Sequence, residues 1–116
     1  MMRQRALVAA GLLLAAAAAG AAANDFPTQA RVEFVVGCMN QRGGPTYDNM
    51  YRCSCAVDRM AARFAYGEFA EAETFAMLRS TAGERGGMFR DPPRARELVA
   101  ALKEAESEAE RACFVN

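Results

Sequence analysis

Residues 46–64 read TYDNMYRCSCAVDRMAARF, and the spacing within this stretch decides the fold class. Met50, Cys53, Val57, Met60, Ala61 and Phe64 recur at three- and four-residue steps. That is the period of one helix face, not the period of two expected of a strand. Thr46 stands where an N-cap side chain accepts a backbone N–H, and Asp48 falls in the first turn, where the helix dipole favours an acid. Tyr66-Gly67 is expected to stop this helix, with Gly67 at the C-cap position.

The same reading extends in both directions. Upstream, Pro27-Thr28 opens a segment in which Val32, Val35, Val36 and Met39 share one helical face, with Thr28 as the expected cap. Val32 to Val36 also has strand propensity, but no second strand exists to pair with it, so a helix is expected. Gln41-Arg42-Gly43-Gly44-Pro45 ends it. Downstream, a third helix is expected from about Glu68 to Ser80, with Phe69, Ala72, Ala76 and Met77 inward. Residues 81–93 hold three glycines and two prolines and read as a loop. Asp91 and Pro92 suit the start of a last helix that runs to about Cys113. Its Leu98, Leu102, Ala105, Ala109 and Ala112 form a narrow seam of mostly small residues, suited to packing on another helix. The expected architecture is all-α: one small bundle of about four helices.

Composition excludes several functions. The chain has 116 residues, 14 Lys+Arg against 14 Asp+Glu, and no His. Zero net charge argues against a nucleic-acid binder. Without His there is no Ser-His or Cys-His nucleophile pair and none of the usual catalytic zinc sites. No enzyme is expected.

The N-terminus reads as a targeting segment. Arg3 and Arg5 precede an apolar run from Ala6 to Ala19, and Ala21-Ala22-Ala23 offers small residues for cleavage. The run is short for a membrane span, which needs about 20 residues. Residues 1–23 are therefore expected to be a cleaved signal peptide, and residues 24–116 a single helical domain with no membrane attachment after cleavage. The Arg- and Ala-heavy usage is that of a GC-rich bacterial genome, so the expected destination is the periplasm.

All four cysteines, Cys38, Cys53, Cys55 and Cys113, lie after the expected cleavage point. An even count in a short exported chain reads as two structural disulfides. Cys53 and Cys55, two apart on one helix, point about 200° away from each other and must bond elsewhere. The expected pairing is Cys38–Cys55 with Cys53–Cys113; the spacing leaves Cys38–Cys53 with Cys55–Cys113 open.

Two segments carry candidate function. Glu68, Glu71 and Glu73 crowd the third helix, and Asp48, Asn49 and Asp58 lie on the second. Clustered carboxylates suit hard cations such as Ca²⁺ or a lanthanide, with Asp58, Glu68 and Glu71 as the candidate ligands. The alternating Glu104, Glu106, Glu108 and Glu110 read instead as a solvated face. In the 83–92 loop, Arg85 and Arg90 offer guanidinium forks and Met88 and Phe89 apolar anchors for a protein partner.

Tyr51-Arg52-Cys53-Ser54-Cys55-Ala56-Val57-Asp58, the run from Tyr66 to Thr74, Gly83-Glu84-Arg85-Gly86 and Phe89-Arg90-Asp91-Pro92 together resemble a group of small secreted four-cysteine proteins of proteobacteria. Members of that group are encoded near pyrroloquinoline-quinone (PQQ)-dependent alcohol dehydrogenases of the methanol type. The resemblance spans roughly residues 33–114. It extends to landiscernin-like periplasmic lanthanide-binding proteins, which dimerise around metal. It implies a non-enzymatic accessory protein of quinoprotein alcohol oxidation that binds or delivers a lanthanide or Ca ion, with a homodimer as the implied assembly. The other reading is a metal-free module that docks on a periplasmic dehydrogenase or cytochrome through the 83–92 loop.

Overall fold

The computed structural model describes residues 24–80 and 92–114. The segment 1–23 and the loop residues Arg85, Met88, Phe89, Arg90 and Asp91 lie outside them. Four helices make up the described residues: α1 (Thr28–Gln41), α2 (Tyr47–Arg63), α3 (Tyr66–Arg79) and α4 (Pro93–Cys113). α2 packs on α1 along one flank and on α4 along the other, and α3 packs on α4. Among the described residues no helix is long and apolar enough to cross a membrane.

The turn between α1 and α2 is built from local chemistry. Gly43 and Gly44 take φ of 95° and 110°, a left-handed backbone that only glycine adopts without strain. This lets the Gly44 N–H donate back to the Met39 carbonyl at 2.9 Å, satisfying an open helix end. Thr46 caps α2 as expected, its hydroxyl accepting from the Asn49 N–H at 3.1 Å. The Asn49 amide in turn donates to the Arg42 and Gly44 carbonyls, both at 2.9 Å.

Several expected positions are corrected. Thr28 is the first residue of α1 rather than its cap; Pro27 precedes the helix, and no side-chain cap bond forms. The core side of α1 carries Phe34 and Val35, while Val32 and Val36 are exposed. α1 touches only one helix extensively, so its apolar residues are not all needed inside. Gly67 does not stop α2. The helix ends at Phe64 in an extended conformation, and Tyr66-Gly67 begin α3. The N-terminal segment makes this possible: the Tyr66 N–H donates to the Asp25 carboxylate at 2.9 Å, a cap supplied from 41 residues away. Met50 and Met77 are exposed rather than inward. On α4 the buried stripe is Ala95, Val99, Leu102, Ala105, Ala109 and Cys113, with Leu98 packed at its edge and Ala112 exposed.

The core runs from Cys53, Val57 and Met60 on α2 through Phe64 to Phe69 and Ala72 on α3 and the small residues of α4. At one end Phe69 meets the rings of Phe26 (centroids 4.9 Å apart), Phe34 (6.2 Å) and Phe64 (6.2 Å). Such tilted contacts suit the ring quadrupoles.

The disulfides are Cys38–Cys53 and Cys55–Cys113, with Cα separations of 5.8 and 5.7 Å. This reverses the expected pairing, and the charges explain it. Cys55, Arg59 and Arg63 follow one another at four-residue steps, so they share one stripe of α2. That stripe faces α4: Arg59 lies 3.8 Å from Glu108, and Arg63 reaches Glu104 and Glu108 at 3.0 Å each. Cys55 is therefore turned towards Cys113. The α1 flank is marked by Arg31–Asp58 at 3.0 Å, and antiparallel packing from that pair brings Cys38 to Cys53.

Candidate functional site

A groove of about 540 Å³ opens between α1 and the α3–α4 pair, with α2 beneath. One wall is an α1 stripe at three- and four-residue steps: Ala30, Glu33, Phe34, Gly37, Cys38 and Gln41. Facing it are Phe69 and Glu73 of α3 and Glu106, Ala109 and Glu110 of α4; Ala56 and Met60 of α2 form part of the lining beneath. Four carboxylates, Glu33, Glu73, Glu106 and Glu110, thus line one cavity, against a single arginine, Arg42. Arg42 is already engaged. It pairs with Glu110 through two donors, and its guanidinium lies over the Phe114 ring, 3.4 Å from the centroid.

Most acids outside the groove have a basic partner. Asp48 pairs with Arg52, Asp58 with Arg31, Glu71 with Arg94, and Glu104 and Glu108 with Arg63. Among the described residues no ion pair reaches Glu73 or Glu106. Partial loss of water pushes the Glu73 carboxyl up from its ordinary pKa, and repulsion from Glu106 adds to this. Loss of water also pushes Glu106 up, while Lys103 opposes the rise.

An acid whose pKa is raised by folding destabilises the fold at pH above that raised value. The effect disappears at low pH, where folded and unfolded chains are both protonated. We therefore expect the double variant Glu73→Gln, Glu106→Gln to melt slightly higher than the parent at neutral pH. After solvent screening the gain is well under about 1 kcal/mol, and it shrinks as pH falls. Thermal melts across that range check this; a gain independent of pH would assign it to helix packing instead of charge.

The acids singled out by sequence lie elsewhere. Asp58 sits on the α1–α2 flank in its pair with Arg31. Glu71 accepts two bonds from Arg94, both at 2.7 Å, which lower its pKa. Glu68 is exposed, and its charge acts on Arg94. Among the described residues no three acidic or cysteine side chains converge into a metal cluster. Asp58, Glu68 and Glu71 are thus not brought together within one protomer. Sequence reasoning set Glu106 aside as part of a solvated face, and it is exposed, as are Glu104 and Glu110; it nonetheless borders the groove. The available signal was its place three residues before Ala109, beside the small-residue seam.

Comparison with family models, curated proteins and solved structures finds no match to this chain.

Proposed function

We propose that the chain is a periplasmic, non-enzymatic accessory protein that carries a hard cation, a lanthanide or Ca²⁺, in the groove between α1 and the α3–α4 pair. The observation that carries this reading is the meeting of Glu73 and Glu106 at one groove, where they repel each other. Glu73 and Glu106 line one cavity with Glu33 and Glu110 and have no ion-pair partner among the described residues, whereas Asp48, Asp58, Glu71, Glu104 and Glu108 elsewhere each meet an arginine. No three of these groove carboxylates are preassembled as a cluster, so the cation would draw them together. Oxygen donors of this kind are what hard cations require, and a bound cation relieves the repulsion between the two glutamates. The ligands proposed here therefore replace Asp58, Glu68 and Glu71. Service to quinoprotein alcohol oxidation follows from the motif resemblance described above, and the two disulfides are compatible with an oxidising compartment.

Calorimetric titration of the oxidised protein recovered from the periplasm tests the reading. Micromolar La³⁺ binding is expected, at least tenfold weaker in Glu73→Gln or Glu106→Gln and unchanged in Glu68→Gln. Absence of La³⁺ and Ca²⁺ binding, or equal loss in all three variants, overturns it. Sedimentation in the same titration reports whether a dimer forms with the metal.

A further inference from the structure

We infer that the groove is also the seat of a basic, amphipathic α-helix of a partner protein, which competes with the cation for the same carboxylates. The competition rests on the reading of Glu73 and Glu106 given above; the seat rests on shape. From Ala30 to Gln41 the α1 wall runs about 16 Å, some three helical turns. Its main packing partner is α2, and none of its residues is buried. Among the described residues α1 therefore offers a bare flank to the groove. The α1 wall is small where a second backbone must come close, at Ala30 and Gly37, with Phe34 half-exposed between them; the floor of Ala56, Met60, Phe69 and Ala109 belongs to the core. A side chain built at Gly37 would meet nothing within 4 Å.

Charge selects the occupant. Four carboxylates line the groove, and the one arginine there is held by Glu110. The complement is a helix with an apolar stripe flanked by Lys or Arg, the arrangement by which helices enter grooves. An anionic membrane surface is repelled by the same carboxylates. The described residues contain no strand edge on which an extended peptide would pair. Docking of such a helix places cations on Glu73 and Glu106 and so displaces a metal ion bound there. The basic helix itself offers the ion no oxygen ligand, so docking releases it to solvent.

The test uses a fluorescently labelled 14-residue peptide with Leu along one helical face and Lys on the other. The control has Glu in place of every Lys. The oxidised protein is expected to bind the Lys peptide one to one and to ignore the control. La³⁺ is expected to raise the apparent Kd. Gly37→Leu fills the seat while keeping every carboxylate, and leucine favours a helix more than glycine does. It is expected to weaken peptide binding at least tenfold, with circular dichroism confirming the fold. No binding of the Lys peptide, equal binding of the control, or an unaltered Kd in Gly37→Leu overturns the seat. If La³⁺ binds with its Glu73 dependence while the peptide does not, the cation reading stands and the docking proposal falls. If the peptide binds with its Gly37 dependence while La³⁺ does not, the cation reading and the competition fall together and the seat stands.

Discussion

Replacing Cys55 and Cys113 together by serine is expected to lower the unfolding free energy by about 4 kcal/mol, the figure for closing a loop of this length. The two residues are 58 apart in sequence, and their bond ties α2 to the last residue of α4. Cys38 and Cys53 are only 15 apart, and the same reasoning gives about 3 kcal/mol for them. The two losses differ in kind as well as size. α4 packs on both α2 and α3, so freeing its end loosens the whole bundle. α1 packs mainly on α2 and buries no residue fully, so freeing Cys38 loosens α1 alone. Urea unfolding under non-reducing conditions checks the magnitudes. Hydrogen exchange separates the two cases: fast exchange confined to α1 is expected for Cys38→Ser with Cys53→Ser, and raised exchange throughout for the Cys55–Cys113 variant. Equal protection of α1 in both variants would contradict this assignment.

Phe69→Ala is expected to cost about 3–5 kcal/mol, the range for deleting a buried aromatic ring. Phe69 is 4% exposed and meets three pieces of chain at once: Phe26 before α1, Phe34 on α1, and Phe64 at the end of α2. The groove loses part of its lining at the same time. Phe69→Leu keeps most of the volume and is expected to lose less than half as much. The midpoints of chemical unfolding for the two variants decide it. A loss under about 1 kcal/mol in the alanine variant would mean that the ring cluster closes over the cavity and is not the hub described here.

The helices were readable in the sequence wherever spacing and local caps agreed. The α2 stripe from Cys53 to Phe64, the Thr46 cap and the glycine turn before it depend on neighbours within a few residues. The errors fall where a distant group decides. Gly67 carries the local mark of a helix end, yet Asp25 supplies the cap that lets Tyr66 and Gly67 begin a helix. Val32 and Val36 fit a helix face, but α1 meets a single flank of α2, and apolar spacing does not say how many neighbours a helix will have. The cysteine pairing turned on Arg59 and Arg63, whose partners lie some 45 residues onward on α4. The candidate site was half legible. Glu73 was noticed among the acids of α3, but Glu106 belongs with it only once α3 and α4 lie side by side.

The observed connectivity joins the first cysteine to the second and the third to the fourth. A chain entering an oxidising space N-terminus first presents Cys38, then Cys53, then Cys55, and Cys113 only much later. If each thiol takes the earliest free partner, the native set forms in order of arrival. The other pairing weighed above would require Cys38 to wait past Cys53, or a wrong bond to be reopened by thiol–disulfide exchange. For a chain exported in that way, this connectivity needs an oxidant and no reopened bond.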